Sequence, residues 1–150
     1  MAIRTFELTT AVPRAPEAVI DFLEDLSRHR GLHPYLVSAD VVARGDDAGA
    51  PWTQWRVTER PKLGPFRYRI TFPARMHRTS AISMSGDVRA APGCSLRTTT
   101  VATAQPEPAS ASTVHEVTVV TAPWLVIGYM TRQAQLAHAR TFSLLPRELA

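Results

Sequence analysis

The segment from Pro123 to Leu145 constrains the fold most, because its pattern is that of one long amphipathic α-helix. Pro123 suits a first helical turn, and the uninterrupted stretch after it spans roughly 33 Å at about 1.5 Å per residue. Pro146 is expected to end or kink the last turn. One face of this helix is formed by Val126, Ile127, Met130, Gln133, Ala134, Ala137, Thr141, Leu144 and Leu145. Such a face needs a second layer to bury it.

The chain before this helix supplies that layer as a series of strands. A first strand is predicted from Ile3 to Val12, where Pro13 ends it. Six further strand-like segments follow at 37–44, 52–60, 66–72, 81–90, 95–104 and 113–121. Short turns join them, which indicates an antiparallel meander. The sequence therefore predicts an α+β fold, with a curved antiparallel sheet of about seven strands wrapped around the long C-terminal helix.

One or two short helices are predicted between the first two strands. Pro16 opens a helical stripe formed by Val19, Phe22, Leu23 and Leu26. Gly31 is expected to end this helix. His33-Pro34 prevents simple continuation, so residues 32–36 are expected to form a second short helix or a turn.

The middle of the long helix's inner face carries small residues, which predicts a cavity above the sheet. Large sheet residues could fill that space instead, because protein interiors are normally close-packed. The predicted pocket residues are Trp55, Tyr68, Phe72, Met84, His115, Met130, Gln133, Ala134, Ala137 and Thr141. Tyr129 is expected at the rim, whereas Trp124 is expected to anchor the packing and His138 to have a structural role.

Few residues suggest chemistry in this cavity. The spacing of the histidines gives no metal site, and no cofactor motif is present, so no metal or cofactor is predicted. His115 and Glu116 are neighbours in the last strand, so only one of them can face the cavity, and the pattern does not choose between them. Candidate acid/base groups are His115, Tyr68 and Glu59. The catalytic residues, if any, stay unknown.

A cationic stretch runs from Arg56 to Arg78 and holds seven Arg or Lys residues against one acidic residue, Glu59. Part of it, residues 66–72, alternates with Phe66, Tyr68, Ile70 and Phe72 on the inner face. Its cations, Arg56 included, are expected outside. They could form a solvated strand face or bind an anionic partner. A peripheral membrane or nucleic-acid module built on this stretch ranks last among the functions, because the aromatic residues are expected to face inward, and nucleic acid is not expected as a partner.

Length and cysteine content bound the remaining possibilities. The 150 residues suit one domain, 1–150. Cys94 is the only cysteine and is interpreted as structural, so the fold needs no internal disulfide, which fits a cytoplasmic protein. The N-terminus lacks an apolar signal segment, and the longest apolar run, Pro123–Met130, is far shorter than the roughly 20 residues of a membrane span. A monomer or a homodimer is compatible with the sequence.

Several short sequence segments resemble those of a known family. They are Val12–Val19 at the first strand-to-helix entry, His33-Pro34, Trp55–Glu59, Leu63–Phe66 and Thr121–Pro123 at the start of the last helix. The dipeptides Asp25-Leu26 and Ala137-His138 resemble the same family. Together they resemble the START-like or SRPBCC superfamily, in particular its polyketide cyclase/dehydrase-like actinobacterial members. The resemblance implies a helix-grip fold with a ligand pocket.

Two functions follow from this pattern and this resemblance. The leading hypothesis is a binding module, with no catalysis, for a lipid, polyketide or similar apolar molecule held between the last helix and the sheet. The alternative is a small polyketide cyclase or dehydratase that uses an acid/base residue of the cavity.

Overall fold

The computed structural model describes residues 1–150 and contains nine β-strands and two α-helices. The helices are α1 (Pro16–Glu24) and α2 (Ile127–Glu148), and a 3₁₀ turn covers Leu26–His29. The strands are β1 (Ala2–Val12), β2 (Leu36–Asp47), β3 (Ala50–Glu59), β4 (Lys62–Leu63), β5 (Phe66–Arg67), β6 (Ile70–Ser80), β7 (Ser83–Ala91), β8 (Cys94–Ala104) and β9 (Ser112–Ala122).

Seven strands form one antiparallel sheet in the order β1-β9-β8-β7-β6-β3-β2, and β4 and β5 form a separate two-stranded hairpin. The long helix α2 packs on β1 and β9. This is the predicted α+β helix-grip architecture, with a short helix and a 3₁₀ turn after the first strand. No helix combines the length and the hydropathy that a membrane span requires.

Three groups of buried side chains hold these layers together. The largest joins α1 and the C-terminal half of α2 to the sheet, through residues such as Ile20, Val114 and Leu145. A second packs Ile127, at the start of α2, on Phe6, Cys94 and Val120. The third lies around Trp55, Val57 and Phe72 on β3 and β6. The middle of α2 lies between these groups, and here the packing is incomplete.

Two local predictions are wrong. Residues 66–72 do not form one strand, because Phe66–Arg67 pairs with Lys62–Leu63 as a hairpin and β6 begins only at Ile70. Gly64, with φ of 60°, makes the tight turn of this hairpin. As the hairpin leaves the sheet, Phe66 is 73% exposed and does not face the interior.

The ends of the helices also differ from the predicted ones. The helix α1 stops at Glu24, because the Asp25 carboxylate accepts a hydrogen bond from the Ser27 N–H and starts the 3₁₀ turn. Residues 123–126 form a turn before α2, so Val126 is partly exposed and Trp124 is 73% exposed. Trp124 is therefore not a packing anchor. Pro146 lies inside the last turns of α2 without ending the helix.

Candidate functional site

A cavity of about 220 Å³ lies between α2 and the concave face of the sheet. Water needs only about 10–15 Å³ of such space, so the cavity is large enough for an organic molecule. Nineteen of its 30 lining residues are hydrophobic. The lining is fully buried near α1, at Met84 and Phe142, and partly exposed at Tyr68 and Tyr129. The cavity is therefore accessible where the β4–β5 hairpin meets α2, and also along the segment 29–36.

Most residues predicted for the pocket lie in the wall of this cavity. They are Tyr68, Phe72, Met84, Met130, Gln133, Ala134, Ala137 and Thr141. Their role as ligand contacts remains a prediction. Glu59, one of the predicted acid/base candidates, lies in the same wall.

Trp55 and His115 are the two predicted pocket residues that do not line the cavity. Trp55 is buried on the same face of β3 as Val57 and packs in one cluster with Val57 and Phe72, but it lies outside the cavity lining. His115 lies on the outer face of the sheet, where its Nε2 is 3.1 Å from Glu7 Oε2. Side chains alternate along a strand, so Glu116 points inward. Of the two neighbours, Glu116 and not His115 therefore faces the cavity.

Glu116 and His138 form an ion pair inside the cavity. His138 Nδ1 is 2.5 Å from Glu116 Oε1, and the Thr118 hydroxyl donates a second hydrogen bond to the same oxygen. Burial alone lowers the pKa of His138, but the charge of Glu116 and the hydrogen bond to it outweigh burial and raise the pKa. The raised pKa favours the imidazolium form of His138, whose Nε2 has no protein partner and is available to a guest.

A second imidazole–carboxylate pair lies beside the first. His33 Nε2 is 3.4 Å from Glu59 Oε1, and the rings of His33 and His138 are 6.4 Å apart. Burial, with a smaller contribution from the charge of His138, lowers the pKa of His33 to about 3. Burial also raises the pKa of Glu59 to about 7. His33 is thus neutral at pH 7, while Glu59 is close to its midpoint.

The neutral form of His33 has no free base nitrogen. Its Nδ1 accepts a hydrogen bond from the Tyr35 N–H at 3.3 Å, which leaves the proton on Nε2, the atom that lies 3.4 Å from Glu59 Oε1. Glu59 is therefore the only group of this pair that can take a proton from a guest near neutral pH. His29 stacks on Phe22, and burial lowers its pKa as well.

Two tyrosines connect the open end of the cavity to the hairpin. The hydroxyls of Tyr68 and Tyr129 are 2.8 Å apart, and the Tyr129 hydroxyl also donates to the Lys62 carbonyl at 3.0 Å. Burial, followed by the hydrogen bond to Tyr68, raises the pKa of Tyr129. The Tyr129 hydroxyl is neutral at pH 7, and both hydroxyls are already paired.

The cavity contains no Lys or Arg, although the chain carries 17 of them. Its two carboxyl groups are Glu59 and Glu116, and any positive charge on His138 lies against Glu116. Gln133 adds a buried Oε1 without a hydrogen-bond partner. The wall can therefore accept hydrogen bonds at Gln133 and Glu59 and donate one from His138, but it offers no free cation.

The sequence does not identify His138 and His33 as cavity residues and does not decide which way Glu116 faces. His138 lies about 40° from Ala134 on the helix, close enough to the inner stripe for a long side chain to reach the cavity. An inner face of α2 defined about 40° wider would have included His138. His33 belongs to a loop without periodicity, so no local signal could place it.

Comparison with known proteins supports the fold. No family model and no curated protein matches the sequence. Solved structures do match over nearly the whole chain. A Thermus thermophilus protein has a TM-score of 0.73 at 15% identity, covering 97% of each chain.

Two further structures have more informative descriptions. A START superfamily protein from Mycobacterium smegmatis has a TM-score of 0.69 at 11% identity, covering 97% of this chain and 96% of its own. The ZhuI aromatase/cyclase of a Streptomyces species has a TM-score of 0.67 at 11% identity, covering 99% of this chain and 92% of its own. At these identities the similarity establishes a START-like helix-grip fold, as expected from the sequence.

Proposed function

We propose that this chain, acting as a single domain over residues 1–150, binds a neutral and largely apolar small molecule that carries a hydroxyl or carbonyl group. The observation behind this proposal is the composition of the cavity wall, which is mostly hydrophobic and has a few hydrogen-bonding groups but no free cation. The START-like fold supports it, because small-molecule pockets commonly lie between the layers of such folds.

The neutral character of the guest follows from the charges already in the cavity. A carboxylate guest would lie near Glu59 and Glu116, and the one nearby cation, His138, is already paired. Burying an unpaired anion costs several kcal/mol, by order of magnitude. A hydroxyl or carbonyl guest avoids this cost and can bond to His138 Nε2–H or to Glu59.

A displacement assay tests both parts of this proposal. The protein is loaded with the neutral fluorescent probe N-phenyl-1-naphthylamine at pH 8, and 1-dodecanol or dodecanoate is titrated in. We expect the alcohol to displace the probe at a concentration at least tenfold lower than the acid. Equal or better displacement by the acid would refute the neutral guest, whereas no probe binding at all would refute the cavity as a binding site.

Gln133→Leu should reduce the preference for the alcohol. Rotation of the terminal amide, a soft torsion, would aim the unpaired Oε1 at the hydroxyl of a guest. We expect the variant to bind dodecanol about tenfold more weakly and to be at least as stable as the wild type, because an unpaired buried oxygen has been removed. Gln135→Leu, on the exposed side of α2, is the matched control and should leave binding unchanged.

A second candidate function is a cyclase or dehydratase acting on a polyketide-like chain. Two neighbouring cavity groups that can exchange protons favour it, namely Glu59 as a base and His138, whose pKa is raised, as an acid. Glu59 would take an α-proton of a β-hydroxyketone, and His138 would protonate the departing hydroxyl, which leaves as water as the C=C bond forms. Turnover of such a substrate that Glu59→Gln abolishes would support catalysis. A bound but unchanged substrate would favour the binding module.

A further inference from the structure

One end of the molecule gathers the segments around the opening of the cavity. The antiparallel register brings together the start of β1, the end of β9 and the turn between β7 and β8. A Cβ atom at Gly93 would be 3.9 Å from both Met1 Cε and Pro123 Cγ, which shows how closely these segments pack. The β4–β5 hairpin joins them through the Tyr129–Lys62 hydrogen bond. We call this end, comprising residues 1–3, 60–69, 89–95 and 121–126, the mouth face.

The most exposed large hydrophobic side chains of the chain all lie on the mouth face. Only four exceed 70% exposure, namely Met1 at 76%, Leu125 at 75%, and Phe66 and Trp124 at 73% each. They project from three separate tips, which are the N-terminus, the hairpin and the turn before α2. Scattered single apolar residues are normal on a protein surface, but this concentration at one end needs a partner to cover it.

The charge of the mouth face has one sign. Arg60, Lys62, Arg67, Arg69 and Arg89 are all exposed, and the face contains no Asp or Glu. None of these five makes a salt bridge. At the opposite end, by contrast, Arg78 is held by Asp21 and Glu24 of α1. The predicted cationic stretch is thus divided: Arg75 and Arg78 at its end are engaged within the protein, whereas its cations from Arg56 to Arg69 are exposed and unpaired.

We propose that the mouth face docks on membranes that contain anionic lipids, with Phe66, Trp124 and Leu125 inserted among the headgroups and the cations around them. Separate projecting apolar tips ringed by cations suit the interface of a bilayer, where aromatic rings and Arg or Lys side chains are favoured. An acidic protein is the competing partner, but protein interfaces bury a continuous apolar centre instead of separate tips.

The position of the cavity indicates what docking would achieve. This step of the inference rests on the proposed function. The cavity opens beside Tyr68 and Tyr129, on the same end as the inserted side chains. An apolar guest dissolved in the bilayer would then enter the cavity without crossing water. The docking surface itself is independent of which guest is bound.

Co-sedimentation with vesicles tests the docking. The intact protein is mixed with vesicles of phosphatidylcholine alone or with one quarter phosphatidylglycerol, at low and high salt. We expect strong binding to the anionic vesicles, weak binding to the neutral ones, and weakening by salt. Arg60→Ser/Arg67→Ser/Arg69→Ser should bind about 100-fold more weakly, because each cation contributes roughly fivefold. The variant Trp124→Ser/Leu125→Ser should bind the anionic vesicles more than tenfold more weakly than the wild type.

Matched variants outside the mouth face serve as controls. Val42→Ser and Arg44→Ser change exposed residues of β2 and should bind vesicles like the wild type. Failure to bind anionic vesicles, or equal binding by the mouth-face variants, would overturn the proposal. If the protein does not bind vesicles but binds polyglutamate through the same arginines, the partner is an acidic protein and not a membrane. Probe binding in the cavity is measured in parallel, so a failure of docking is distinguished from a failure of the proposed function.

Discussion

Replacing Ala137 with phenylalanine is expected to weaken binding of N-phenyl-1-naphthylamine more than 100-fold while the fold is retained. Ala137 is 2% exposed and lies midway along the inner face of α2, in the wall of the cavity. A phenyl ring at this position would occupy the space that the probe needs. Overpacking a filled core commonly costs about 1–3 kcal/mol, but here the ring enters a space of about 220 Å³ that the wild type leaves open.

The control for this variant is Ala139→Phe. Ala139 lies on the same helix and is partly exposed, but it does not line the cavity. Probe affinity by fluorescence titration and thermal unfolding are measured for both variants. Undiminished binding by Ala137→Phe would show that the probe binds elsewhere. Should that variant fail to fold, the smaller change Ala134→Leu tests the same point at a neighbouring position of the wall.

Replacing Glu116 with glutamine is expected to move the pKa of His138 from above 6.5 to below it. Burial is the largest influence on this imidazole and lowers its pKa, and Glu116 is the main group that reverses the effect. Once the carboxylate is gone, the smaller attraction of Glu59 remains and burial prevails. Titration of ¹⁵N-labelled histidine by NMR measures the change directly.

The same substitution should invert the dependence of stability on pH through this residue. In the wild type, the raised pKa of His138 contributes stability that is present below pH 6.5 and is lost as pH rises through the folded-state value. In Glu116→Gln the pKa is depressed, so stability is lost as pH falls below 6.5, by up to about 1.4 kcal/mol per pH unit. Denaturant unfolding of both proteins from pH 5 to pH 8 tests this difference. His29, His33 and Glu59 respond to the charge of His138, so the NMR titration is compared with the unfolding profile to identify the contribution of His138 itself.

Glu7→Gln is the matched control, because Glu7 pairs with His115 on the exposed outer face of the same sheet. Exposed pairs contribute at most about 1 kcal/mol, so this variant should follow the wild-type profile. A His138 pKa that stays above 6.5 in Glu116→Gln would contradict the assigned pair. The His138 imidazolium would then need another source of stabilisation, and the acid role considered for it would lose its basis.

The helix-grip fold was predictable because its signals are local. The apolar stripe after Pro123 has a period near 3.6 residues. The strands before it have a period of two and are joined by short turns. The type and the order of the elements can therefore be predicted from neighbouring residues. Errors arose where a local pattern continued but the chain changed direction. Phe66 keeps the alternation of Tyr68 and Phe72, yet a hairpin closed at Gly64 carries it out of the sheet.

The candidate site was only partly predictable. The inner face of α2 and the wall residues of β6 and β7 follow from periodicity, and Phe72, Met84 and Ala137 lie in the cavity wall. The charged groups did not follow, because β9 has Val and Thr on both faces and its sequence pattern does not distinguish them. Glu116 faces inward only because β9 pairs with β1 and β8 in a register that puts Phe6 and Thr98 on the same side.

The sequence by itself thus determined the layers of this protein: a long helix with small residues at its centre, a meander of strands to cover it, and a cationic stretch between residues 56 and 78. Only the tertiary structure decided what those layers enclose and expose. It brought His138 to Glu116 and His33 to Glu59, and it turned Phe66 and Trp124 toward solvent beside unpaired arginines. The physical reason is that burial and pairing depend on residues distant along the chain, whereas periodicity records only the face on which each residue lies.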